Sequence, residues 1–158
     1  MRRRRRHKKR VRAALELIFP GLRGKKWRLT SDYTKRYNCI AWAVGDTHRR
    51  WDLIDGHWPN TVQRNYSLDA LIDAYVTKGF EVCDENGRVF DPEFEKVVLY
   101  GTVSSGGRGR RWSHAAKLMP SGMWSSKLGN LEDIQHVAPE DVNCAAYGEP
   151  LVYMRRKR

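Results

Sequence analysis

Asn38-Cys39-Ile40-Ala41-Trp42-Ala43-Val44-Gly45 is the stretch on which the fold turns. Asparagine is a strong helix N-cap and glycine a strong C-terminal stop, so the segment reads as a short helix whose first residue is Cys39. Its apolar character on every side predicts burial all round. A helix start presents unpaired N–H groups and a partial positive charge, which favour a thiolate. The same backbone donors, with Asn38 as the capping residue beside them, lie where an oxyanion would be held. Against this stands the plain reading of Cys39 as core, since cysteine is among the most buried residue types.

Working outward, Ala13–Ile18 reads as a short helix stopped by Pro20-Gly21, and residues 27–37 as irregular. Ser67 caps a clearer helix, residues 68–78, with Leu68, Leu71, Ile72 and Tyr75 at helical spacing and Gly79 at its end. Beyond Phe80 the period changes to that of strands: residues 80–83, 96–103, 112–119, 123–128 and 150–154, with Pro120-Ser121-Gly122 as a hairpin turn. Residues 130–136 and 139–146 read as short helical pieces. Helices first and a mostly antiparallel sheet afterwards define the α+β class.

A nucleophilic thiol needs a base, and the base needs orienting. His114 is the candidate base, in the strand-like run Trp112-Ser113-His114-Ala115-Ala116, where small neighbours let another element approach the imidazole. Asn143-Cys144-Ala145-Ala146 echoes the Cys39 block, but no histidine follows it, and Cys144 and Cys83 read as packing. Cys83, His136 and Cys144 lack the close pairs of a structural zinc site, and neither metal nor cofactor is expected. Gly106-Gly107-Arg108-Gly109 follows a strand without opening a helix, which is the wrong context for a phosphate loop.

The formal net charge of the 158 residues is +12, but it is carried by the ends. Residues 2–12 hold nine Arg or Lys and no acid, and Arg155–Arg158 are all basic; residues 13–154 carry seventeen basic against eighteen acidic side chains, a net of −1. The expected organisation is a disordered polybasic arm (1–12), one domain (13–154) and a basic tail (155–158). Arg2–Arg6 and Arg155–Arg158 are then candidate contacts for nucleic acid or another polyanion. No apolar run approaches the roughly 20 residues of a membrane span. Three irregularly spaced cysteines suit a reducing, cytoplasmic setting, with secretion as an effector the alternative.

The blocks Tyr37-Asn38-Cys39-Ile40-Ala41-Trp42-Ala43, Trp112-Ser113-His114-Ala115-Ala116 and Gly122-Met123-Trp124-Ser125-Ser126-Lys127-Leu128-Gly129 resemble a group of bacterial domains similar to the papain-like cysteine hydrolases, nearest their cell-wall amidopeptidase branch. The resemblance spans about residues 20–155. It implies a papain-like fold, a nucleophile at Cys39, a base at His114 and a third polar residue on the next strand. Ser126 falls near that place, where such enzymes more often carry His, Asn or Gln, and Asp133 and His136 are its rivals. A peptide or amide substrate follows from this reading. The competing expectation is a non-enzymatic binding module whose basic ends grip a polyanion.

Overall fold

Seven strands form one sheet in the computed structural model, which describes residues 1–129 and 131–158, with Glu85 and Asn86 described by their backbone alone. The strands are β1 (Trp27–Ser31), β2 (Glu81–Cys83), β3 (Phe94–Val103), β4 (Arg110–Leu118), β5 (Trp124–Lys127), β6 (Asp133–His136) and β7 (Glu149–Lys157). Their spatial order is β1-β6-β5-β4-β3-β7-β2, with every ladder between neighbours antiparallel. The helices are α1 (Arg2–Ile18), α2 (Cys39–Val44) and α3 (Leu68–Val76). The α+β class expected from the sequence is what the chain adopts.

The sheet separates two apolar clusters, because successive side chains of a strand point to opposite faces. Val97, Leu99, Ala115 and Met154 pack on the face covered by α2 and α3. Val98, Tyr100, Ala116, Trp124 and Ile134 pack on the other, against Leu15, Phe19, Leu22 and Val142. Six residues are too few to hold a helix in water, so α2 exists because Ile40, Ala41, Ala43 and Val44 are buried and because Tyr75 Oη of α3 donates to Ile40 O at 2.7 Å.

Several sequence expectations are revised. Residues 27–31, expected to be irregular, form the edge strand β1, with Trp27 and Leu29 turned inward and Arg28 and Thr30 outward. Residues 133–136, expected to be a helical turn, form β6 between β1 and β5; Asn130, the first residue of that expected turn, lies outside the described residues. Both faces of β6 are covered, so its polar residues give no simple alternation of the kind that marks a half-exposed strand. The expected helix at 139–146 is a single 3₁₀ turn, Pro139–Val142.

Both charged ends carry regular secondary structure. Residues 2–12, expected to be a disordered arm, continue the Ala13–Ile18 helix without a break. Arginine and lysine are good helix formers, and the last turns are docked: Leu15 is buried, Arg12 lies 3.9 Å over the Trp27 ring and donates to Trp27 O, and Trp27 Nε1 donates to Glu16 Oε1 at 3.1 Å. The expected C-terminal tail is mostly strand, since Arg155, Arg156 and Lys157 pair in register with Lys96, Glu95 and Phe94.

Candidate active site

The local sequence sets up α2 as expected. Asn38 Oδ1 accepts from Ala41 N at 3.1 Å and from Trp51 N at 3.1 Å, while Nδ2 donates to Trp51 O at 2.7 Å. Asn38 therefore caps the helix and clamps the loop at Trp51 to it. Gly45 ends α2 in the left-handed region, φ 94°, where a side chain would be strained.

Cys39 opens α2 and retains 7% of its surface. Burial pushes its thiol up to about 11; the N–H groups of Ala115, Ile40 and Cys39 itself, with the charge of Lys127, pull the other way without winning. The sulfur is thus a thiol at neutral pH, not the thiolate that a helix start favours on its own. Desolvation outweighs the donors here. The N–H groups that oppose the rise are the ones an oxyanion beside the sulfur would use.

The contact with Ala115 sits where the sheet opens. β4 and β5 are paired only at Lys117↔Ser125 and Leu118↔Trp124, so the Ser126 and Lys127 end of β5 lies beyond the ladder with β4. Cys39 reaches the β4 backbone there from the α2 side. Ala115 faces that side, and its neighbour His114 belongs to the opposite one, stacked between Tyr147 (centroids 4.1 Å apart, rings 2° from parallel) and Tyr100 (4.9 Å). Cys39 and His114 thus stand on opposite faces of β4 with no hydrogen bond between them, and His114 Nδ1 is buried without a hydrogen-bond partner.

The other ring nitrogen heads a relay. His114 Nε2 is 3.1 Å from Ser126 Oγ, Ser126 Oγ is 2.8 Å from His136 Nε2, and His136 Nδ1 is 2.8 Å from Ala138 O. The terminal carbonyl only accepts, so it fixes the direction of the whole chain. His136 Nδ1 carries a proton, its Nε2 accepts from the Ser126 hydroxyl, and Ser126 accepts from His114 Nε2–H. His114 is left with an unprotonated, unpartnered Nδ1. Burial, and then the neighbouring His136, hold its pKa well below the ordinary imidazole range; His136 is lowered by burial too.

Of the rivals for the third residue, Ser126 and His136 both join His114. Asp133 does not: it faces the α2 side, where Tyr37 Oη donates to its Oδ2 at 3.2 Å and its Oδ1 is buried without a partner. Lys127 shapes the turn after β5 by donating to Gly129 O at 2.6 Å and Leu131 O at 3.2 Å. It is fully buried near Cys39, with a pKa lowered by burial. Tyr147 is the site residue that the sequence reading missed. It lies in the segment after Cys144 that was set aside as packing, and the Ser113 hydroxyl anchors it by donating to Tyr147 O. Its position depends on Gly148, at φ 67°, where a Cβ would stand 2.0 Å from Gly101 O. Among the described residues, no three His, Cys, Asp or Glu side chains converge as a metal site, and no helix is long and apolar enough to cross a membrane.

The fold and the site define an α+β domain with a cysteine at a helix start and a buried histidine relay on the adjoining sheet. The chain belongs to the family described as Domain of unknown function (DUF7689), which it matches over residues 28–155. No curated protein and no solved structure matches it.

Proposed function

We propose that this protein is a papain-like cysteine hydrolase or acyl transferase acting on an amide-type carbonyl, with Cys39 as nucleophile, His114 as base and Ser126 as the orienting residue. The observation that carries the reading is the state of His114. Its Nε2–H is committed to Ser126 and, through it, to His136 and Ala138, while Nδ1 is left as a free base beside the peptide unit that Cys39 contacts. A purely structural histidine usually has both nitrogens satisfied. The chain order also supports it: a cysteine helix, then a histidine strand, then the orienting residue on the next strand.

Cys39 and His114 lie on opposite faces of β4, so the reaction requires the β4–β5 opening to part first; Cys39 Sγ then attacks the carbonyl carbon as its proton passes to His114 Nδ1, and no standing thiolate is required. The C=O electron pair moves to oxygen, which the Ala115, Ile40 and Cys39 N–H groups stabilise. Collapse of the tetrahedral species expels the amine, protonated by His114 Nδ1–H, and leaves a thioester on Cys39. Water, or an acceptor amine in a transferase, attacks the thioester carbon as its proton passes to Nδ1; the C–S bond then breaks, the acyl group leaves, and Cys39 Sγ recovers the proton from Nδ1–H. With 7% of Cys39 and none of His114 exposed, substrate entry must part the β4–β5 opening.

Peptide vinyl sulfones provide the test. At pH 7, adducts are expected on Cys39 alone; His114→Gln slows labelling about a hundredfold or more, and Ser126→Ala about tenfold. Labelling of Cys39, Cys83 and Cys144 at equal rates, indifferent to His114→Gln, overturns the proposal.

A further inference from the structure

We infer that α1 and the approach to β1 form a binding surface for the phosphate backbone of double-stranded nucleic acid. The charge is concentrated there: residues 1–36 hold fifteen Lys or Arg against two acids, whereas residues 37–158 hold fifteen against sixteen. The family match begins at Arg28, so α1 precedes the shared domain.

The two basic ends are built differently. At the C-terminus, Arg155 pairs with Glu81 at 2.8 Å and Arg156 with Glu95 at 2.7 Å, so that charge is answered within the fold. Among the described residues, no ion pair involves Arg2–Arg12. One stripe of α1, Arg4, His7, Lys8 and Val11, lines a groove of about 590 Å³ against residues 29–33 of the β1 edge and Glu132, so the acids Asp32 and Glu132 lie on that side of the helix. Arg3, Arg6 and Arg10, at positions i, i+3 and i+7, form a neighbouring stripe about 120° round the helix from the groove, and all three are exposed. Docking of Arg12 and Leu15 fixes the helix direction, so the outward cations stand as a pre-set row over about 10 Å of axis. A row of guanidiniums without acids matches a polyphosphate backbone. An anionic membrane fits less well, because Val11 is the one apolar residue among 2–12 and it is turned into the groove. This inference stands apart from the hydrolase reading, and Cys39→Ala leaves it untouched.

The test measures fluorescence anisotropy of the full chain with 20-base-pair DNA and RNA duplexes over a salt series. The wild type binds both within about tenfold of each other, with a log–log salt slope of about −4.5 to −5.5 for five or six phosphates. The triple variant Arg3→Ala, Arg6→Ala, Arg10→Ala loses roughly thirtyfold or more at 100 mM salt, and its slope falls by about 3. The equal charge change around the start of β4, Arg108→Ala, Arg110→Ala, Arg111→Ala, leaves affinity within about threefold. Independently of any variant, duplex protects Lys8 and Lys9 of the wild type from acetylation while Lys78 stays reactive. Four results overturn the inference: equal losses in the two triples, uniform lysine protection, no saturable binding at 50 mM salt, or displacement of the duplex by vesicles containing phosphatidylglycerol.

Discussion

Asn38-Cys39-Ile40-Ala41 and Asn143-Cys144-Ala145-Ala146 begin alike and fold apart. In the first, Asn38 uses both side-chain atoms, the chain coils into α2, and Cys39 is pressed against the β4 backbone. In the second, Asn143 Oδ1 is buried without a partner, Gly148 N returns to Cys144 O at 2.8 Å, and the segment closes as a turn. Asn-Cys-x-Ala is therefore not a site by composition. What separates the two is whether the asparagine finds a helix N–H and a second loop to bind. Yet both segments serve the same imidazole, the first by bringing a thiol to the His114–Ala115 unit and the second by laying Tyr147 on the ring.

The largest expected effect tests that division of labour. Cys39→Ala removes turnover by about a thousandfold or more, as loss of a covalent nucleophile does, while Cys144→Ala stays within about twofold. Comparable losses in both, read by single-turnover acyl-enzyme formation, would break the contrast. The next effect concerns the Tyr147 segment. Gly148→Ala sets a Cβ against Gly101 O at a strained φ, and a cost of about 3 kcal/mol is expected. Thermal unfolding then shifts down by about 6–12 °C, and an unchanged midpoint would show that this turn does not constrain Tyr147.

Smaller effects sharpen the same comparison. Asn38→Ala is expected to cost about 2 kcal/mol, combining a lost cap with the lost clamp on Trp51, whereas Asn143→Ala stays within about 0.5 kcal/mol. Urea midpoints measured side by side decide it, and equal shifts refute it. The last effect is felt by the group that both segments share. His114 and His136 are held neutral by burial, with folded pKa values below the ordinary imidazole value of 6.5. The unfolded chain binds those protons first, so the stability they contribute is complete above that value and is lost as pH falls below it. At its steepest the loss is about 1.4 kcal/mol per pH unit for each group. A flat urea midpoint between pH 7.5 and 5 would show that the relay is not buried and neutral.

Much of the architecture was legible because it is written locally. Ser67 and Asn38 announce their helices, Gly45 ends one of them, the apolar runs in β3 and β4 carry strand character in their own side chains, and Pro120-Ser121-Gly122 marks the turn into β5. β1 and β6 were not legible, because each is a short polar strand whose identity comes from pairing with the other across more than a hundred residues, Trp27 with His136 and Leu29 with Ile134. α1 was missed for the opposite reason: its composition is that of a solvated arm, and only docking of Leu15 and Arg12 against the body orders it.

The sequence by itself determined the α+β class, the capped helix with Cys39 at its head, His114 on a strand, and the confinement of net charge to the ends. Only the tertiary structure decided that Ser126 and His136, not Asp133, meet His114, that His114 keeps its proton on Nε2, and that Cys39 rests as a thiol. Helix caps and strand periods arise from neighbours in the chain. A proton's position and a buried thiol's charge depend instead on which distant groups share a dry space, and folding alone settles that.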